Sequence, residues 1–104
     1  MSSQGTGAQR AYRIITVTIK PGDPPTVDPF EVHVSKKRKD EVIWESNGAP
    51  FVVRFDAETP FDSDRFDHAQ SRSGPVRGNA EEKRYKYTVE TGGGIVDPDT
   101  IVDQ

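Results

Sequence analysis

The chain predicts an all-β, two-layer sandwich. Apolar residues recur at every second position in short runs, those runs are rich in β-branched and aromatic residues, and proline or glycine clusters separate them. No apolar stripe of helical period is present, so at most one or two short helical turns are expected, in the 57–82 loop at 62–72 or 79–84. The 104 residues have room for one domain. Residues 1–10 are mostly Gly, Ser, Gln and Thr without periodicity and are expected to form a flexible tail, leaving 11–104 as the domain.

The runs follow in order. "YRIITVTIK", from Tyr12 to Lys20, sets Ile15, Val17 and Ile19 on one face and Thr16, Thr18 and Lys20 on the other. "PGDPPTVDP" places four prolines among turn formers, and each removes a donor and fixes φ, so a loop without regular structure is expected. "FEVHVS" directs Phe30, Val32 and Val34 inward and Glu31, His33 and Ser35 outward; "EVIWES" follows the basic turn "KKRK". "FVVRFD" gives Phe51, Val53 and Phe55 to the core, and "RYKYTVE" gives Tyr85, Tyr87 and Val89. "GGG" at 92–94 and "DPD" at 97–99 make a tight loop before the closing strand "TIV".

The connection "SNGAP" reads in two ways. As a hairpin turn it would set Trp44 opposite Val53 and Val42 opposite Phe55, with both inner faces in agreement. Pro50, lacking a donor at the mouth of that ladder, instead suits a connection that crosses between the sheets. Periodicity alone leaves both open.

The order "PFEVHV", basic turn, "DEVIWES", "NGAPFVVRFD", long loop, "YKYTV" and "TIVD" resembles the cupredoxin fold, the Greek-key sandwich of blue copper proteins, over roughly residues 11–103. The resemblance implies a first copper histidine at the position of Phe51 in "WESNGAPF" and a cysteine ligand near Val89 in "YKYTV". The remaining His and Met ligands would lie in the closing loop, where "ETGGGIVDPD" has neither. A blue-copper site needs two imidazoles and a thiolate with a weak axial ligand, whereas this chain has two histidines, no cysteine and only Met1. The resemblance therefore implies a scaffold like that of small copper-free bacterial cupredoxin-like proteins, without the redox activity.

Other chemistry is limited by the residues present. Without cysteine there is no disulfide framework, zinc–thiolate site, iron–sulfur cluster or thiol nucleophile. The net charge of −3 implies no general affinity for nucleic acid. Asp56, Glu58, Asp62, Asp64, Asp67 and His68, in the acidic loop 56–68, are the best metal candidates, for example for calcium. EF-hand spacing fails there, because Phe66 stands where the third acidic ligand belongs and Asp67 where the glycine belongs. A solvated loop pinned by Phe61 and Phe66 is the competing reading. Lys36, Lys37, Arg38 and Lys39, in the basic turn 36–39, with Arg72 and Arg77, could meet an anion or nucleic acid, but no stacking aromatics interleave them.

His33 sits on an outward strand face, a plain polar position. His68 with Asp67 and Ser71 or Ser73 supplies the residue types for acyl transfer, without a nucleophile-elbow pattern or an oxyanion arrangement. "TGGG" lacks the lysine and helix of a phosphate loop. The expectation is thus a non-catalytic binding module without cofactor or bound metal, monomeric or a weak homodimer, whose partner is another protein met through the 57–82 and 91–99 loops. Metal-ion or anion binding is the alternative. No apolar run is long enough to span a membrane and the first ten residues lack a signal-like apolar stretch, so a cytoplasmic location is expected.

Overall fold

The structure, a computed structural model, describes residues 13–104; the expected tail 1–10 and Tyr12 lie outside the described residues. It is a β-sandwich. The strands are β1 (Ile14–Lys20), β2 (Thr26–Asp28), β3 (Glu31–Ser35), β4 (Glu41–Glu45), β5 (Val52–Phe55), β6 (Arg65–Asp67), β7 (Arg84–Thr91), β8 (Gly94–Val96) and β9 (Asp99–Asp103). One layer is the three-stranded sheet β2-β1-β4. The other runs β3-β9-β7-β5-β6, with β8 also paired to β7. Both sheets are mixed, since β1 runs parallel to β4 and β9 parallel to β3, while the other pairs are antiparallel.

The period-two reading holds along most of the chain. Val17, Ile19, Val27, Val42 and Trp44 point inward from the small sheet; Val32, Val34, Val53, Phe55, Phe66, Tyr85, Tyr87, Val89 and Val102 point inward from the large one. Ile15 is half-buried at the margin. Phe61, Val76 and Ala80 come from the long connection between β5 and β7 and plug the same core. The layers meet through rings. Trp44 stacks on Phe66 at 5.1 Å and meets Tyr87 edge-on at 5.8 Å, while Phe55 stacks on Tyr87 at 5.0 Å.

Three expectations are corrected, and a choice left open is settled. Phe30 is 49% exposed, because β3 begins at Glu31 and Phe30 lies one residue outside the strand that enforces the alternation. The proline-rich stretch 21–29 contains β2, which fits between Pro25 and Pro29 and pairs Val27 with Ile19. The 57–82 loop contains the strand β6; its lack of helical turns among the described residues lies within the expected limit of at most one or two. Finally, the hairpin alternative for "SNGAP" fails. β4 and β5 belong to different sheets, so the segment crosses between layers. Asn47 (φ 57°) and Gly48 (φ 93°) supply the left-handed turn, and Pro50 then needs no ladder partner.

Burial pushes the Tyr87 phenol up to about 12, and the charge of Asp99 adds to this while the hydrogen bond from Trp44 Nε1 (3.3 Å) partly opposes it. A raised folded value means that stability from this group is intact below the unfolded value near 10 and is lost as pH rises through 12. We expect about 2–3 kcal/mol to disappear over that window. The check is denaturant unfolding at pH 9, 10 and 11 (about one step per pH unit), where a Tyr87→Phe variant should be flatter than the parent.

Candidate functional site

The residues singled out by sequence separate into three regions. At one end of the sandwich, the crossing segment 46–51 meets the loop after β6 and the turn after β7. Ser46 donates its hydroxyl proton to the Ala49 carbonyl, which closes the turn and leaves Asn47 and Gly48 exposed at its tip. Phe51 then enters the core, 3% exposed, with the His68 ring edge-on to it at 6.3 Å. His68 is exposed. Its loop is held by Asp67, whose Oδ1 accepts from the amides of Ala69 (2.9 Å) and Gln70 (3.0 Å). These two amides, with Arg65, hold the Asp67 carboxyl below the usual carboxylate value.

Phe51 and His68 form the ridge between two shallow depressions. One, of about 360 Å³, continues over Ile43, Trp44, Gly48 and Ser71. The other, of about 330 Å³, continues over Pro50, Val52, Glu90 and Gly92. Ile95 is also exposed at 53%, on β8 just beyond the Gly92–Gly93 turn. That turn packs against the proline-rich loop so closely that a Cβ on Gly93 would overlap the Gly22 carbonyl oxygen. Because the obstacle is backbone, it cannot rotate away. Gly93→Ala is therefore expected to cost about 1–3 kcal/mol, the range for overpacking. Urea unfolding measures this, and an unchanged midpoint would show that the two loops separate freely.

The acidic residues do not converge. Glu58 is paired with Lys83, Asp67 is turned toward its own loop, and Asp56, Asp62 and Asp64 are exposed. Among the described residues, no group of three or more His, Cys, Asp or Glu is placed to hold a metal ion. Among the described residues, no hydrogen bond joins His68 to Ser71, Ser73 or Asp67; the Ser73 hydroxyl instead accepts from Val42 N and donates to the Gly74 carbonyl, and the Asp67 carboxylate accepts from its own loop.

The basic residues are partly committed to the fold. Lys36 Nζ donates to the Ala80 carbonyl at 3.0 Å and lies 3.4 Å from Glu82, and Arg38 reaches Asp40 at 3.4 Å. Lys37 and Lys39 are exposed. Arg72 pairs with Glu41 at 2.7 Å, and Arg77 donates to the Thr59 carbonyl at 2.6 Å. A further depression, of about 490 Å³, lies beside Glu41, Asp62, Arg65 and Arg72. Arg72 pairs with Glu41 there and Arg65 with Asp67 beside it, so two acids stand against two bases and no net charge builds up.

Sequence reasoning passed over two carboxylates. Asp40 has a fully buried side chain and accepts from Arg13, Ser35 and Arg38. Asp99 accepts from Arg84 at 2.8 Å, with its second oxygen 3.3 Å from Lys86 Nζ. Arg84 also bonds Glu31 at 2.9 Å, so the group laces β3, β9 and β7 together. In sequence both acids sit in polar turns that read as solvated; only their strand neighbours make them buried.

No protein-family model matches the chain, and no curated protein matches it. Among the described residues no helix is long and apolar enough to cross a membrane.

Proposed function

We propose that this chain is a copper-free, cupredoxin-like Greek-key sandwich that acts as a non-catalytic protein-binding module, meeting its partner at the end formed by residues 46–51, 68 and 91–95. The observation that carries the reading is the filling of two implied ligand positions with buried hydrocarbon. Phe51 is 3% exposed and Val89 is fully buried opposite Val53, while the closing loop offers no imidazole or thioether. Copper chemistry has no donor set there. The surface above these residues supports recognition of another macromolecule, since it is broad and shallow, mixes apolar Pro50 and Ile95 with polar Asn47, His68 and Glu90, and rests on a rigid scaffold.

The test couples affinity capture to a surface variant. Protein carrying Ile95→Arg, which changes only an exposed side chain, is compared with the parent as bait in native cell extract, beside metal analysis of the purified protein. A stoichiometric partner retained by the parent and lost by the variant supports the reading. Bound metal at one equivalent, or a partner indifferent to Ile95→Arg and to a second variant, Asn47→Trp, refutes it.

A further inference from the structure

Among the described residues, β3 is an edge strand of the large sheet and bonds β9 on one side only. The Phe30 carbonyl accepts from Asp99 N at 3.1 Å, and Lys36 N donates to the Asp103 carbonyl at 2.9 Å, so the even-numbered residues of this segment turn their backbone groups toward β9. The odd-numbered residues turn theirs outward. Ser35 is already satisfied there, donating to Asp40 Oδ2 at 2.9 Å and accepting from Asp40 N at 3.1 Å. The His33 carbonyl holds one long bond from Arg13 Nη2, at 3.4 Å. Among the described residues, nothing pairs with the His33 amide or with either backbone group of Glu31.

The other edges are shorter or covered. β2, β6 and β8 have three residues each. The outer side of β4 is occupied, with Trp44 N donating to the Ser71 carbonyl (3.0 Å) and Ser73 N to the Val42 carbonyl (2.9 Å). β3 also lacks the lysine, proline or bulge that commonly blunts an edge.

We propose that β3 pairs antiparallel with β3 of a second copy of this chain about a twofold axis at Val32, joining the two large sheets into one. That register sets Glu31 of each copy opposite His33 of the other. Each such pair is of the hydrogen-bonded type and exchanges two backbone bonds, which uses the outward groups of Glu31 and His33. The next pair outward would be Ser35 against Pro29. Ser35 is already engaged by Asp40 and Pro29 has no N–H, so the ladder ends at both sides without an orphaned donor.

Side chains select the same register. An acid faces a histidine in both symmetry-related pairs, and Phe30, 49% exposed in the single chain, comes beside Val34 of the other copy. Centring the axis on Glu31 would oppose two carboxylates, and centring it on His33 would oppose two histidines and set Glu31 against the occupied Ser35. Arg13 yields one long bond to the His33 carbonyl and keeps those to Asp40.

The experiment is sedimentation velocity of the full chain from about 10 μM to about 1 mM, the range suited to a small interface. A monomer–dimer equilibrium is expected. His33→Glu should weaken it about tenfold or more by setting carboxylates opposite each other, Glu31→Lys should weaken it by replacing the acid that faces the imidazole with a cation, and the double variant should recover most of the loss because each pair again joins opposite charges. Hydrogen exchange on the parent protein gives a reading independent of any variant. The Glu31 and His33 amides should exchange rapidly in dilute monomer and slowly in concentrated dimer. A chain that stays monomeric at about 1 mM, a dimer insensitive to both single changes, or protection of those two amides already in the monomer overturns the proposal. The last outcome would mean that the chain covers its own edge.

Discussion

Asp40→Ala is expected to destabilise the protein by about 3 kcal/mol, because it removes a buried acceptor from several donors at once. One oxygen takes the Arg13 amide at 2.8 Å; the other takes the Ser35 amide at 2.9 Å, Arg13 Nη2 at 2.9 Å and Arg38 Nη2 at 3.4 Å. The two guanidinium groups reach water and would be rehydrated, but the Ser35 amide is buried and would be orphaned. Asp40→Asn should fare little better, since its NH₂ would face donors where an acceptor is required. For a domain of this size the loss corresponds to about 15 °C in Tm. A fall of under about 4 °C would show that solvent replaces the carboxylate.

The same carboxyl contributes to acid sensitivity. Burial by itself would raise its pKa, but the Ser35 and Arg13 amides and the Arg13 and Arg38 guanidinium groups outweigh it and hold the value below the usual carboxylate range. With the folded value depressed, the stabilisation is present above the unfolded value near 3.9 and is lost as pH falls through the folded one. The stabilities of the parent and Asp40→Ala should therefore converge as pH drops below about 4. Parallel curves across that range would mean that Asp40 is protonated together with the unfolded chain.

Asp40 also illustrates what the sequence conceals. Strand alternation is local, so Val17, Ile19, Val42, Trp44, Val53, Phe55, Tyr85, Tyr87 and Val89 were readable from their own neighbours, and all are buried. Asp40 follows four basic residues and reads as solvated; it is buried because the turn returns it beneath Arg13, 27 residues away. β2 and β6 escaped for a different reason. Three residues carry too little periodicity, and their pairing with Ile19 and Val53 comes from other parts of the chain. Whether "SNGAP" turns back or crosses likewise depends on which sheet receives Val53, and both registers satisfy the same inward pattern. At the candidate site, the burial of Phe51 was legible, whereas the placement of His68 against it required the path of the 57–82 connection.

Trp44→Ala is expected to cost about 3–5 kcal/mol, the range for deleting a large buried aromatic side chain. Its position makes the loss a matter of joining the layers as well as filling volume. Trp44 lies on β4 in the small sheet, 1% exposed, yet among the described residues its ring partners all belong to the large one: Phe66 on β6 at 5.1 Å, Tyr87 on β7 at 5.8 Å and Phe55 on β5 at 6.5 Å. Removing the indole opens a void against each of these strands and also deletes the donor to Tyr87. Trp44→Phe keeps a ring but loses that donor and part of the volume, so it should fall between the parent and alanine. Circular dichroism must follow the unfolding, because Trp44 is the single tryptophan and its fluorescence disappears with it. A cycle pairing Trp44→Leu with Phe66→Leu should give a coupling of about 0.5–1.5 kcal/mol if the stacked pair contributes beyond burial. A coupling near zero would reduce Trp44 to a space filler. The sheets would then be held by aliphatic packing alone, and β6 would depend on Phe66 contacting its neighbours within the large sheet.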